Sequence, residues 1–205
     1  MRSFWKIPVL GAAAFDLWRW DARRKREWMA PHLPGGPLLE IGSGPGSVLF
    51  ELRRAEHKLI GVDIRDSSYN DSLRPILSDG GALPFADKTF SASLLLTTLH
   101  HARDPERLIR EAARVARRIL IIEDIYRSPF HRRMTKIADA ITNLEFVGHP
   151  HANRDDAGWR ATFDRLGLRT IHASEKPMAG YFLQALYVVE QGRGEGAASA
   201  QTSVS

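Results

Sequence analysis

The stretch Leu38-Leu39-Glu40-Ile41-Gly42-Ser43-Gly44-Pro45-Gly46 is a short apolar run that ends in a glycine-rich turn. A run of this length bounded by glycines is typical of a buried strand, and residues 47–56 have the apolar spacing of a helix. Glycines let the backbone turn tightly and let a ligand approach without a Cβ atom in its way. The stretch therefore predicts a strand, a ligand-binding loop and a helix of an α/β fold.

The rest of the chain alternates strand patterns with helical ones. Strands are predicted at residues 58–63, 74–77, 92–97, 119–125, 169–174 and 183–190, and helices at 12–30, 104–118 and 155–166, with another opening at 128. This order predicts a Rossmann-like α/β fold, with a doubly wound, seven-stranded, mostly parallel sheet covered on both faces. The last two strands, joined by the loop 175–181, are expected to form an antiparallel edge hairpin.

Composition excludes several kinds of chemistry. The 205 residues carry a formal net charge of +5, with a sequence pI of about 9.8, and include no cysteine. Disulfides, thiolate metal sites and a cysteine nucleophile are thereby excluded, and a reducing, cytoplasmic setting is expected. The arginine pairs are scattered over different segments, which favours a solvated basic surface over a nucleic-acid interface. No apolar run reaches the ~20 residues of a membrane-spanning helix.

Acidic residues lie at the ends of the first three predicted strands. Glu40 lies in the first strand, Asp63 ends the second, 19 residues after Gly44, and Asp79 follows the third. Ligands of open α/β sheets bind at this edge, where a carboxylate at 63 suits a ribose and one at 79 suits an adenine amine. Ser47 stands where dinucleotide loops have their last glycine, and Glu40 would repel a pyrophosphate. The pattern therefore favours a nucleoside ligand that carries a cationic amino-acid group.

Four motifs follow one another in the chain: Glu40-x-Gly42-x-Gly44-x-Gly46, Gly61-Val62-Asp63-Ile64, Asp79-Gly80-x-Ala82-Leu83-Pro84-Phe85-x-Asp87-x-x-Phe90 and Leu99-His100-His101-x-x-Asp104-Pro105. Together they resemble the class I S-adenosylmethionine-dependent methyltransferases, above all the branch with the quinone-biosynthesis C-methyltransferases. The resemblance covers about residues 37–125. It departs from the family's pattern at Ser91, where aspartate is usual, and at 116–118, where the usual Lys-Pro-Gly-Gly turn is missing.

The resemblance implies S-adenosylmethionine as the cofactor and S-adenosylhomocysteine as the product. It also implies which residues hold the cofactor. The amino-acid end would be held by Glu40, Gly42, Ser43, Gly44 and Gly46. The ribose would be held by Asp63, and the adenine by Ile64, Asp79 and Gly80. Leu95 and His100 would line the cofactor near its sulfonium.

Methyl transfer from a sulfonium mainly requires alignment of the acceptor and exclusion of water. A general base is needed only if the acceptor must lose a proton, and histidine suits that role because its pKa lies near neutrality. The candidates are His100, His101, His149 and His151, of which at most one or two act. No metal ion is expected, because His149 and His151 lack a third ligand with convincing spacing.

The resemblance also implies that the acceptor pocket is formed by the N-terminal helix and the segment after the fifth strand. The candidate lining residues are Trp18, Trp20, Tyr126, Phe130, Met134, Phe146 and His149, with His151 nearby. Aromatic linings suit a flat or lipophilic small molecule, although the same residues at helical spacing also suit a plain core. The basic, aromatic N-terminal segment could also rest on a membrane surface.

We divide the chain accordingly into residues 1–36, a helical segment expected to cap the acceptor site, and residues 37–191, the Rossmann-like domain. Residues 192–205 are small, polar and glycine-rich, and are expected to form a disordered tail. The oligomeric state is left open.

The resulting hypothesis is methyl transfer to O or C of a small, aromatic or lipophilic molecule. An RNA or tRNA methyltransferase is an alternative that the basic pI favours. It is opposed by the absence of cysteine and of an Asn/Asp-Pro-Pro-Tyr sequence after the fourth strand, so a nucleic-acid partner is not expected. A non-catalytic cofactor-binding protein is a second alternative, because a fold does not determine a function. A nicotinamide oxidoreductase is disfavoured by the glycine spacing.

Overall fold

The computed structural model describes residues 8–127, 154–178 and 182–192. The predictions for Phe130, Met134, Phe146, His149 and His151 lie outside these residues. So do the helix predicted to open at residue 128 and almost all of the predicted tail.

The described elements follow the predicted alternation of strands and helices. The helices are α1 (Pro8–Met29), α2 (Ser47–Arg54), α3 (Pro105–Val115) and α4 (Asp156–Arg165). The strands are β1 (Leu38–Ile41), β2 (Leu59–Asp63), β3 (Ile76–Leu77), β4 (Phe90–Leu96), β5 (Ala116–Ile125), β6 (Leu168–Met178) and β7 (Phe182–Gln191).

The strands form one seven-stranded sheet in the order β3-β2-β1-β4-β5-β7-β6. The pairings among β1 to β5 are all parallel, whereas β7 runs antiparallel to both β5 and β6. The predicted Rossmann-like fold with an antiparallel edge hairpin is confirmed. The strand order changes direction next to β1, and ligands of open α/β sheets bind at such a point.

Each face of the sheet buries its own hydrophobic core. On one face α3 and α4 cover the sheet, and Trp159, Phe163 and Tyr187 are fully buried there. On the other face α1 and α2 cover it, and α1 contributes Phe15 and Trp28 to that core. The helix of the predicted segment 1–36 is therefore part of the core packing. Its predicted role as a cap on the acceptor site stays a prediction.

Two predicted boundaries are wrong. The helix predicted to extend to residue 118 ends at Val115, because Ala116 already pairs with Phe90 of β4 and Arg118 pairs with Ala92. This direct passage from helix to strand occurs where the family's usual turn is missing. The predicted loop 175–181 is shorter, because residues from Glu175 to Met178 pair with β7 and extend the hairpin.

Within the described residues, no helix is long and apolar enough to cross a membrane.

Candidate cofactor-binding and active site

The loop after β1 takes a shape that favours glycine. Gly42 has a φ of 80°, and a Cβ atom there would lie 2.4 Å from Thr98 Cγ2. Gly44 also has a positive φ, of 51°, but a Cβ atom there would meet nothing within 4 Å. The loop is therefore closely packed against Thr98 at Gly42 and has open space beside Gly44. This space leaves room for a ligand to approach the backbone of the loop.

Asp63 joins the end of β2 to this loop. Its Oδ2 accepts a hydrogen bond from the backbone N–H of Gly44 at 2.8 Å, and its Oδ1 accepts one from that of Arg65 at 3.2 Å. A carboxylate oxygen has two acceptor positions, so both oxygens keep acceptor capacity for a ligand. The structure thus places two of the predicted site residues, 19 positions apart in the chain, in direct contact.

Glu40 is a buried carboxylate with a free oxygen. Its side chain is 3% exposed, and its Oε2 has no hydrogen-bond partner among the described residues. Burial, which has the largest effect, and the neighbouring charge of Asp63 together raise the pKa of Glu40 to about 8. The same pKa is lowered by the positive charges of Lys25 and Arg53 and by a hydrogen bond with the backbone of Leu49. A buried carboxylate of this kind is stabilised by a cationic partner, and the ammonium group of an amino acid would supply one.

Ser43 provides a second unsatisfied group in the same loop. Its Oγ is buried and makes no hydrogen bond to the described part of the chain. Gly61 of β2 lies against it, since a Cβ atom on Gly61 would be 3.0 Å from this oxygen. Glu40 Oε2 and Ser43 Oγ are therefore two polar atoms of the loop that a bound amino-acid group would satisfy.

The residues predicted at the adenine lie at the same sheet edge. Ile64, directly after β2, is 70% exposed, although it is a large apolar side chain. Asp79 is exposed after β3, which pairs with β2, and its Oδ1 accepts from the N–H of Gly81 at 2.8 Å. Gly80 between them has a φ of 74°. An exposed isoleucine beside an exposed acid fits a ligand that has a flat apolar face and a polar edge.

Leu95, predicted to line the cofactor, lies in β4, the strand that pairs with β1. It is fully buried in β4, where its neighbours in the sheet are Ile41 and Ile121. It is therefore part of the hydrophobic core, and its predicted contact with the cofactor stays a prediction.

The segment after β4 is held by a buried acid that the sequence analysis missed. Glu123 of β5 is fully buried, and its Oε1 accepts from the backbone N–H groups of Thr98 and Leu99 at 2.8 and 2.7 Å. Its Oε2 lies 2.6 Å from Nδ1 of His100, which is itself 1% exposed. The two acids in the otherwise apolar run 119–125, Glu123 and Asp124, were the signal that could have found it.

The two neighbouring histidines occupy different environments. His100 is buried against Glu123, and this contact helps to hold the segment after β4. Its predicted roles as a base and beside the cofactor stay predictions. His101 is partly exposed, with its ring centroid 4.0 Å from that of His100. Of the candidate bases in the described residues, His101 is the more accessible one.

A second group missed by the sequence analysis links α1 to β4, β5 and β7. Lys25 is 4% exposed, and its Nζ lies 2.8 Å from Asp21 Oδ2 and donates to Thr97 Oγ1 at 3.1 Å. Arg24 donates to Asp21 and to Gln184, whose amide donates in turn to Asp124 Oδ1 at 2.8 Å. We name the α1 polar cluster by its members: Asp21, Arg24, Lys25, Thr97, Asp124 and Gln184.

The predicted aromatic lining is only partly assembled in the described residues. Trp18 and Tyr126 are partly buried, whereas Trp20 is 55% exposed on α1. Trp18 lies one turn before Asp21 and Ala22 on α1, on the side of the α1 polar cluster. Trp20 points to solvent in the structure, and its place in an acceptor pocket stays a prediction.

Part of the chain is similar to known methyltransferases. Residues 39–120 match a family model described as a methyltransferase domain. An uncharacterized protein of Methanocaldococcus jannaschii is 34% identical over 116 residues, which cover 53% of this chain and 54% of that protein. A ubiquinone/menaquinone biosynthesis C-methyltransferase of Roseobacter denitrificans is 28% identical over 132 residues, which cover 56% and 51%. The chain thus spans about half the length of the curated relatives it matches.

A solved structure shows the same fold. The magnesium protoporphyrin IX methyltransferase of Synechocystis PCC 6803, with S-adenosylhomocysteine bound, superimposes with a TM-score of 0.62 at 18% identity. The match covers 84% of this chain and 83% of that one. Residues 39–120 are therefore similar to methyltransferase domains, and the chain shares the fold of a solved methyltransferase.

Proposed function

We propose that the protein binds S-adenosylmethionine at the carboxyl edge of β1, β2 and β3 and transfers its methyl group to a small acceptor. The observation that carries this proposal is Glu40, a buried carboxyl group near the end of β1 whose Oε2 has no partner among the described residues and whose pKa is affected by the charge of Asp63. The methionine end of the cofactor bears an ammonium group, which is the cation that this carboxylate lacks. We call the segments around residues 40–46, 63–64 and 79–80 the cofactor loops.

The roles of the individual residues follow from their environments. Glu40 and Ser43 would bind the amino-acid end, Asp63 would accept from the ribose hydroxyls, and Ile64 would pack on the adenine. Asp79 would accept from the exocyclic amine of the adenine. When bound, the cofactor supplies an electrophilic methyl group that its positive sulfur activates. The protein's remaining tasks are to orient the acceptor and to keep water away.

We further propose that the acceptor is a small aromatic or lipophilic molecule, methylated at O or C. Two of the similar proteins support this class, since one is a C-methyltransferase of ubiquinone/menaquinone biosynthesis and the other is a magnesium protoporphyrin IX methyltransferase. Trp18 lies on α1 one turn before Asp21, and Tyr126 directly follows β5, which carries Asp124 near its end. Residues 1–36 would cap this acceptor site. His101 would take a proton from the acceptor where one must be lost, and Glu123 would hold His100 and the backbone before it in position.

The decisive experiment is calorimetric titration of S-adenosylmethionine and S-adenosylhomocysteine into the wild-type protein and the Asp63→Ala variant. We expect micromolar binding by the wild type and a loss of at least tenfold in the variant, because a carboxylate accepting two hydroxyls is removed. Asp164→Ala, which removes an exposed acid on α4, is the matched control and should bind as the wild type does.

The possible results separate the proposals. Failure of the folded wild-type protein to bind either compound would overturn the cofactor assignment. Binding without turnover on any phenol, quinol or carboxylic acid tested would instead favour the non-catalytic alternative. Turnover on tRNA in place of these small molecules would favour the RNA methyltransferase.

A further inference from the structure

Arg24 has hydrogen-bond donors that nothing in the described structure uses. Its Nη2 donates to Asp21 Oδ1 at 3.0 Å and to Gln184 Oε1. Its Nε and Nη1 are buried and have no partner in residues 8–127, 154–178 and 182–192. A guanidinium carries one N–H on Nε and two on each terminal nitrogen, so three of its five donors are unsatisfied. Buried donors without partners destabilise a fold, and a group of three therefore needs an explanation.

The position of Arg24 points to a ligand as the explanation. Gln184 joins it to Asp124, which lies one residue before the end of β5 and pairs with Gln184 across the sheet. The adjacent Lys25 contacts Thr97, directly after β4. Arg24 therefore lies beside the carboxyl ends of β4 and β5. The cofactor loops follow β1, β2 and β3, on the opposite side of β4 in the strand order.

The charges in the α1 polar cluster favour an anion. Arg24 and Lys25 are two cations, and Asp21 is the acid that contacts both. The only other acid of the cluster is Asp124, and burial raises the pKa of Asp124 and favours its neutral form. Asp21 is thus the one acid in contact with both cations, and the unused groups of Arg24 are all donors, which suit an anionic ligand.

We propose that the methyl acceptor carries a carboxylate and that the free N–H groups of Arg24 bind it. This inference rests on the proposed function, because the ligand it describes is the acceptor of the same site. A carboxylate is the anionic oxygen group that matches a guanidinium best, and it is ionised at neutral pH, whereas a phenol is not. Arg24 acts as a specificity residue that selects aromatic or lipophilic acids among the possible acceptors.

The test uses a pair of probes that differ in charge but little in shape, 1-naphthoate and 1-naphthamide. Each is titrated into the full-length protein saturated with S-adenosylhomocysteine. We expect 1-naphthoate to bind at least tenfold more tightly than 1-naphthamide, because a charge-assisted hydrogen bond to a buried partner is lost in the amide. In Arg24→Gln this preference should disappear, while the affinity for S-adenosylhomocysteine stays within twofold of the wild type.

The matched control is Arg23→Gln, which changes the neighbouring arginine of α1. Arg23 is half exposed and contacts Glu51 on α2, outside the α1 polar cluster. It should keep the full preference for 1-naphthoate. If Arg24→Gln does not fold, Arg24→Lys replaces it, and a loss of at least threefold in 1-naphthoate affinity is expected because an ammonium offers fewer donors.

Several results would overturn the proposal. These are equal binding of the two probes by the wild type, no binding of 1-naphthoate at millimolar concentration, or an undiminished preference in the Arg24 variants. Failure to bind S-adenosylhomocysteine is a separate result that counts against the proposed function itself, so the two failures are distinguishable.

Discussion

The cofactor loops and the α1 polar cluster lie at the same edge of the sheet but are assembled in different ways. In the cofactor loops, the contacting residues are close in the chain, as with Asp63 and the N–H of Gly44, 19 positions apart. In the α1 polar cluster, Lys25 contacts Thr97 across 72 positions, and Arg24 contacts Gln184 across 160. Contacts within one βαβ unit leave a readable spacing in the sequence, whereas contacts between remote segments do not.

The two regions also differ in how their polar groups are satisfied. The free groups of the cofactor loops are acceptors, Glu40 Oε2 and Ser43 Oγ, and the free groups of the α1 polar cluster are the donors of Arg24. One region therefore fits a cationic ligand group and the other an anionic one. This difference teaches that a single sheet edge can present free acceptors on one side of β4 and free donors on the other.

The largest effect is expected at Glu123, which supports the strand ends between the two regions. Glu123→Ala leaves the N–H groups of Thr98 and Leu99 and the ring of His100 without their buried acceptor. We expect a loss of about 3–5 kcal/mol in the free energy of unfolding, measured by urea denaturation. Glu190→Ala, which removes a half-exposed partner of Arg118, should cost less than about 1 kcal/mol. An equal loss in both variants would contradict the supporting role.

The next effect tests the charge of the cofactor loops. Burial raises the folded-state pKa of Glu40 to about 8, above its ordinary 4.5. Protonation therefore stabilises the folded protein, and this stability is complete below pH 4.5 and is lost as the pH rises through 8. Without ligand, the wild type should lose about 2–4 kcal/mol more than Glu40→Gln between pH 5 and pH 9, as measured by denaturation at each pH.

The same variant should bind S-adenosylmethionine at least tenfold more weakly at pH 7.5, because an amide cannot neutralise an ammonium. Asp164→Asn is the control, with an exposed acid that should leave both measurements unchanged. A Glu40→Gln variant with the wild-type pH profile and affinity would remove the proposed contrast between the two regions.

A smaller effect on the free energy of unfolding is expected for two glycines of the cofactor loops, of which Gly42 is closely packed and Gly44 faces open space. Gly42→Ala combines a strained positive φ with a Cβ atom 2.4 Å from Thr98, so we expect a loss of about 2–3 kcal/mol. Gly44→Ala has a positive φ but open space, so its cost should be about 1 kcal/mol. Thermal and urea denaturation measure both variants. Equal losses would mean that contact with Thr98 does not shape the loop.

The smallest effect concerns Ile64. Ile64→Ser should weaken S-adenosylmethionine binding by about three- to tenfold, because apolar contact with the adenine is lost. The free energy of unfolding should change by less than about 0.5 kcal/mol, since the side chain is already 70% exposed. Leu17→Ser on α1, where the leucine is 66% exposed, is the control for both measurements. If both variants bind S-adenosylmethionine with equal affinity, Ile64 does not contact the adenine.

Sequence alone predicted most of the fold because each element is local. The Asp104 side chain accepts from the N–H of Arg107 at the start of α3, as the Asp104-Pro105 pair indicates, and the glycines of the loop after β1 adopt the positive φ angles they permit. The end of α3 was predicted less well. Ala116 continues the apolar stripe of the predicted helix, and only the pairing of Ala116 and Arg118 with β4 assigns residues 116–118 to β5.

What the sequence by itself determined was the sheet, the glycine-rich loop after β1 and the presence of acids at the ends of β1, β2 and β3, because periodicity and local spacing specify them. Only the tertiary structure decided that Leu95 lies in the core, that Glu123 supports the segment after β4 and that Arg24 keeps three donors unused. The physical reason is that burial and hydrogen-bond satisfaction depend on neighbours that are distant in the chain. A charged residue on a helix becomes informative only when its surroundings are known.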